Sequence, residues 1–278
     1  MRATAGWAVV FMLISACGGS AAPSASSGPA TTEGPTSTGP STAITVVDGD
    51  SIVLADGMEA RLIGINAPEG SECWGPEASA ALTAAVEAAD SVSFVGTGGE
   101  DQFGRSLGVL RLDGADANLA LVGAGHAIAT SAEHTDRLAY LHAENTAFTE
   151  RLGLWAAGAC GGAAPPRVVI TAVDPNPPGR DEDALEDELV VITNLHIDAV
   201  ELGGWVLRDE SSRHRFVFPD DVTIAPGAEL VVVTGCVGDD EDTVSWCAGG
   251  PVWNNDGDTA LLLDPLGTVS SHLRYLGD

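Results

Sequence analysis

Apolar and polar positions alternate along the chain in short runs, and this pattern predicts strands first. Ile44-Thr45-Val46-Val47 alternates, Asp48-Gly49 signals a hairpin turn, Ser51 to Leu54 returns, and Asp56-Gly57 turns again before Ala60 to Ile65. Period-two alternation broken by Asp-Gly pairs predicts a three-stranded meander. Gly75-Pro76-Glu77 then opens a helix, with Pro in the first turn where its missing N–H costs nothing, and Ala78 to Ala89 continues it with residues of high helix propensity. Strands resume at Val92 to Val95 and Leu107 to Leu112. From about His134 to Gly153 the spacing predicts a last helix, with Leu138, Leu141, Phe148, Leu152 and Trp155 on one face. Strands wrapped by about three helices suit a small Greek-key barrel.

After Gly161-Gly162-Ala163-Ala164-Pro165-Pro166 the periodicity changes. Short alternating strands are expected at Val168 to Ala172, Leu189 to Thr193, Gly204 to Leu207, Arg215 to Phe218, Leu230 to Thr234 and Leu261 to Leu263, with no helical run between them. Regular turn signals make this a β-sandwich. Trp205 and Trp253 are expected in its core, and the acidic run Asp181 to Glu188 as a solvated loop before a strand. The fold class is therefore mainly β in two domains, residues 43–160 and 166–278.

The first 42 residues belong to neither domain. Arg2 is followed by an apolar run, Gly6 to Ile14, too short to span a bilayer, which reads as a cleaved export signal. Ile14-Ser15-Ala16-Cys17 resembles the lipobox of bacterial lipoproteins, which implies that Cys17 is lipidated and anchors the mature chain to a membrane. Residues 18–42 are almost wholly Gly, Ser, Thr, Ala and Pro, a composition that cannot bury enough apolar surface to offset ordering entropy, and read as a disordered tether.

Charge narrows the function classes. The 12 basic residues are all arginine and face 40 acids, a formal charge of −28. Positions 43–165 hold 5 Arg against 17 acids, and 166–278 hold 6 against 22. Long-range steering toward a polyanion is opposed, so any nucleic-acid contact must come from a local arginine cluster or a bound cation. With Cys17 lipidated, four cysteines remain for two disulfides. Pairing Cys73 with Cys160 and Cys236 with Cys247 keeps each bridge inside one domain and suits an oxidising compartment.

Val46-Val47-Asp48-Gly49-Asp50-Ser51, Arg61-Leu62-Ile63-Gly64-Ile65-Asn66-Ala67-Pro68-Glu69, Gly75-Pro76-Glu77-Ala78-Ser79 and Phe103-Gly104-Arg105-Ser106-Leu107 resemble the staphylococcal nuclease (thermonuclease) family, in its order. Arg151 to Trp155 resembles the end of that family's last helix. The resemblance implies an OB-fold barrel and a Ca2+-dependent endonuclease acting on DNA or RNA with low sequence specificity. It implies that Asp50 binds calcium, that Glu69 is the general base or orients water, and that Arg61 and Arg105 grip the phosphate, a role that planar guanidinium forks suit. Asn66 stands where the family has a second calcium carboxylate, which implies weaker calcium binding. The stretch from Glu69 to Gly75 is shorter than the family's mobile loop, Phe103 offers a ring without a hydroxyl, and Ala129 to Ala132 holds none of the family's tyrosines. His134 and His142, two helical turns apart, are expected to be structural or on the surface.

In the second half, Glu188 to Asn194, Leu202 to Asp209, Phe216 to Pro219 and Val252 to Asp258 resemble the lamin tail domain in its secreted bacterial form. That implies an immunoglobulin-like fold and a binding role toward an unidentified ligand. The whole reads as an extracytoplasmic nuclease, anchored at the cell surface or periplasmic face. The rival is a surface binding lipoprotein whose nuclease module is weak or inactive.

Overall fold

The computed structural model describes residues 44–175, 184–211 and 213–277. Cys17, the leader and the tether lie outside the described residues, as does Asp181. The first strands follow the Asp-Gly punctuation. β1 (Thr45–Val46), β2 (Ser51–Val53) and β3 (Glu59–Leu62) pair antiparallel in order. β4 (Ile65–Asn66) leaves this ladder, and α1 (Gly75–Ala88) crosses to the long hairpin of β5 (Val92–Glu100) and β6 (Ser106–Leu112). β6 lies parallel to β3, with Arg61 opposite Leu107, and β7 (Ala115–Asp116) folds back onto β6. α2 (Ala117–Gly123) was not signalled by the pattern; Asp116 caps it by accepting the Leu119 N–H at 3.0 Å. β8 (Ile128–Ala129) pairs with β4. These strands curl around a core that includes Ile52, Leu62, Leu82, Phe94 and Leu110, and the ladder stays open at its ends instead of closing into a ring.

The last helix differs from its expected form. α3 runs Arg137–Glu150 and buries Tyr140, Glu144 and Ala147, whereas Leu138 is 72% exposed and Phe148 43%. Its inner face thus carries a carboxylate; of the expected stripe, Leu141 packs against the core and Phe148 against His272, while Leu138 faces solvent. Trp155 belongs to a separate 3-10 turn, Gly153–Trp155, and is buried there.

The second domain is a sandwich. β9 (Val168–Asp174), β10 (Leu189–Asn194), β11 (Val200–Glu201), β12 (Val206–Arg208), β13 (Arg215–Val217), β14 (Thr223–Ile224), β15 (Glu229–Val233), β16 (Thr243–Ser245), β17 (Gly257–Leu263) and β18 (Val269–Leu276) form two four-stranded sheets and a small pair. One sheet is ordered β16-β15-β10-β9 and the other β13-β12-β17-β18, while β11 pairs with β14. Between the sheets lie Val190, Ile192, Leu207, Phe218 and both Trp205 and Trp253, the arrangement of an immunoglobulin-like core. The acidic run is not solvated to its end. Glu188 is fully buried, and its Oε1 accepts the Val252 and Trp253 N–H groups and the Thr234 hydroxyl.

β17 joins the two halves. All seven of its residues are buried, because its two faces serve two cores. Ala260 and Leu262 face the sandwich, while Leu261 and Leu263 pack with Ile128, Ala147, Leu154 and Trp155 of the first domain. Next to it on β18, Arg274 pairs with Glu144 and donates to the Ala129 carbonyl at 2.6 Å. His272 sits against Phe148 and Trp155, 4.5 and 4.9 Å between ring centres. The disulfides join Cys73 to Cys160 and Cys236 to Cys247. The first closes a separation of 87 residues, worth roughly 4 to 5 kcal/mol in the chain-entropy account.

Candidate active site

Five of the residues singled out from the sequence, Asp50, Arg61, Asn66, Glu69 and Arg105, line one cleft. Asp50 ends the first hairpin turn, where its N–H donates to Asp48 Oδ1 at 3.0 Å, so Asp48 acts as a turn residue. A side chain at Gly49 would collide with Ala67 and Ala78, at 2.6 and 2.7 Å, so glycine lets this turn sit against the chain leading to Glu69. The buried Asp50 carboxylate accepts the Ala67 N–H at 2.6 Å and pairs with Arg61. Arg61 also donates to Asn66 Oδ1 at 2.6 Å and to the Ile65 carbonyl at 3.3 Å. Burial, and then the charge of Arg105, lower the Arg61 pKa to about 10, so it stays a cation at neutral pH.

Arg105 lies just before β6, the strand parallel to that of Arg61. Its Nη1 donates to Ser51 Oγ at 3.1 Å, and Ser51 Oγ donates to Asp50 Oδ1 at 3.0 Å, which ties the two arginines to one carboxylate. Asp101 fixes the approach: it accepts the Phe103 and Arg105 N–H groups at 2.9 and 3.0 Å and the Arg105 Nε–H at 2.7 Å. The guanidinium lies 5.5 Å from the centre of the Phe103 ring, which is 71% exposed. Neither Ser51 nor Asp101 stood out in the sequence. A small hydroxyl residue and a turn aspartate are too common to read as site parts without their partners.

Glu69 stands at the lip of the cleft with its side chain exposed. Its position depends on glycine at 75, since a Cβ there would lie 1.9 Å from the Glu69 carbonyl oxygen. Glu72 Oε2 accepts the Glu69 N–H at 3.0 Å and the other oxygen pairs with Arg215 of the second domain. His134 packs against Tyr140, 4.7 Å between ring centres, and fills the space beside Gly64, while His142 is exposed.

The second domain walls one side of the cleft, which sequence spacing could not show. Glu210 accepts the Ser131 N–H at 2.9 Å and the Ser131 hydroxyl, and Arg213 donates to Gln102 Oε1 at 2.9 Å beside Phe103. Around a cleft of about 800 Å³, three arginines (Arg61, Arg105 and Arg213) face seven carboxylates. A phosphodiester would meet net repulsion there unless a cation offset it.

Hard oxygen donors suit calcium. The Asp50 carboxylate, the Asn66 amide oxygen and the Ile65 carbonyl already converge on one cation, the Arg61 guanidinium. That donor set fits a hard cation, with a single formal negative charge. Among the described residues, no group of three or more His, Cys, Asp or Glu is placed to hold a metal ion.

Two family models match the chain. Staphylococcal nuclease homologue covers residues 59–157 and Lamin Tail Domain covers 162–277. Arg61, Asn66, Glu69 and Arg105 fall inside the first match, while Asp50 precedes it. A search of curated proteins found no significant match.

Proposed function

Because the chain joins a domain of the staphylococcal nuclease family to a lamin tail domain, we propose that it is a calcium-dependent nuclease that hydrolyses DNA or RNA with low sequence specificity outside the cytoplasm. The observation that carries this reading is the coupling of Arg61 and Arg105 through Asp50 and Ser51, with Glu69 on the rim of the same cleft. Two fixed guanidinium groups can donate to the phosphoryl oxygens as negative charge builds on them. Glu69, with its carboxylate in water, can accept a proton from the attacking water. Calcium held by Asp50 and Asn66 would offset the excess of carboxylates and polarise a phosphoryl oxygen. Phe103 gives a base one exposed ring to stack on, so phosphate contacts carry most of the affinity and sequence preference is low.

The two disulfides support an oxidising compartment, and the Ile14-to-Cys17 motif supports a lipid anchor to a membrane. The carboxylate excess in the cleft favours the second reading, a binding lipoprotein whose nuclease module is inactive. One assay separates the two. Full-length protein is incubated with single-stranded DNA and RNA, with calcium or with chelator. Cleavage should require calcium, and Glu69→Gln or Arg105→Ala should lower turnover by at least ~10²-fold. Wild-type rates in both variants would refute the assignment.

A further inference from the structure

Residues of both domains line a partly open cavity of about 230 Å³ beside the cleft, and Asn66 lines both. Two arginines of the second domain reach it. Arg208 on β12 and Arg215 on β13 are directly opposite each other in antiparallel register. Like charges in such a pair repel, so the arrangement costs stability unless anions lie between or beside them. Arg215 has a partner in Glu72. Arg208 has none for two of its donors: the residue is 4% exposed, and its buried Nε and Nη1 make no hydrogen bond. A buried guanidinium left without acceptors is among the costlier defects in a folded protein.

The neighbouring carboxylates are already engaged. Asp209 accepts from Ser211, at 3.1 Å from its N–H and 2.7 Å from its hydroxyl, and lies 2.8 Å from His214 Nδ1. Asp264 accepts the Leu266 and Thr268 N–H groups at 2.9 and 2.8 Å. Burial lowers the Arg208 pKa; the charge of Glu72 partly offsets this, and Arg215 adds to it. Among the described residues no acceptor reaches these two donors, so an anion or water in the cavity would satisfy them. A volume of 230 Å³ equals about seven or eight water molecules at ~30 Å³ each, enough for a phosphate group with part of a sugar and too little for a base pair.

We propose that Arg208 and Arg215 form a phosphate-binding subsite through which the lamin tail domain holds a phosphate of a single strand next to the one being cleaved. The link to cleavage rests on the nuclease reading above; the anion site does not. Planar forks on two adjacent strands suit the bidentate recognition of phosphate oxygens.

The test uses inorganic phosphate as the probe, with full-length protein at constant ionic strength, read by calorimetric titration and by thermal unfolding. Phosphate should bind the wild type and raise its unfolding midpoint, and should do so equally in Glu69→Gln. Arg208→Met should bind at least tenfold more weakly. Glu72→Gln frees Arg215 from its carboxylate and should bind at least threefold more tightly. That opposite direction keeps the test decisive should Arg208→Met fail to fold. No binding to the wild type, or equal binding in all four proteins, would mean that the cavity holds water only and would overturn the proposal. A short single-stranded oligonucleotide should displace phosphate from Glu69→Gln. Failure to displace it would overturn the strand assignment and leave a site for free phosphate. Phosphate binding without any hydrolysis would sink the nuclease reading and uphold the subsite.

Discussion

At the residue scale, Arg61 competes with any metal for the same oxygens. It pairs with Asp50 and donates to Asn66, so a cation entering there must displace a guanidinium from one carboxylate and one amide. Calcium affinity rises with ligand charge, and Asn66→Asp adds a carboxylate at nearly unchanged shape. The calcium concentration for half-maximal cleavage should fall by about tenfold, equivalent to ~1.4 kcal/mol. A calcium titration of both proteins on one oligonucleotide measures it, and an unchanged or higher midpoint would show that Asn66 is not a ligand. These residues were legible because each lies in a short motif that the chain brings together locally. Ser51 and Asp101, which join and brace the arginines, acquire meaning only from contacts 54 and 4 residues away in sequence.

At the element scale, legibility followed from how many neighbours an element has. Strands with one buried face, such as β3 and β13, show the expected alternation. β17 does not alternate in burial, because both faces are covered, and the short strands β11, β14 and β16 carry too few residues for a period to register. β18 was not signalled by the alternation, and its His272 and Arg274 complete the packing of α3. The expected face of α3 holds for Leu141 and Phe148 and misses Glu144 for the same reason. Glu144 is buried by a partner 130 residues further on. Two substitutions test this placement by chemical denaturation. Leu138→Gln, on the exposed side, should change stability by no more than ~0.5 kcal/mol. Glu144→Ala leaves Arg274 buried without its carboxylate and should cost about 3 to 5 kcal/mol. Equal effects would mean that α3 is rotated.

At the scale of the whole molecule, the domain count read from composition is less informative than the shared core. With Leu261 and Leu263 buried against the first domain, both halves should unfold in one calorimetric transition, and two resolved transitions would contradict the packing described. Acid–base linkage in this unit has two opposed parts. Burial, and then the charge of Glu210, raise Asp258 to about 7, so the folded state holds a proton that the unfolded state releases, and stability falls as pH rises from about 4 to 7. Burial, and then the charge of Arg274, lower His272 to about 4, so its stabilisation is present above pH 6.5 and lost as pH falls toward 4. The slopes partly cancel. Asp258→Asn should expose the histidine term, with stability rising by up to ~1.4 kcal/mol per pH unit between pH 4 and 6.5, and should be more stable than the wild type at pH 8. Denaturant unfolding at several pH values reads both, and parallel curves for the two proteins would refute the Asp258 assignment.

The position of β17 in the chain also sets a schedule. In a chain delivered from its N-terminus, the first domain emerges roughly a hundred residues before Gly257. Until then Leu154 and Trp155 lack their cover, Glu144 lacks its cation, and the loop carrying Glu210 and Arg213 has no finished sheet to hold it against the cleft. Any chain cut short before β17 would carry the whole nuclease signature with an apolar face open to proteases. Maturation of the cleft is therefore timed by the last two strands to be made.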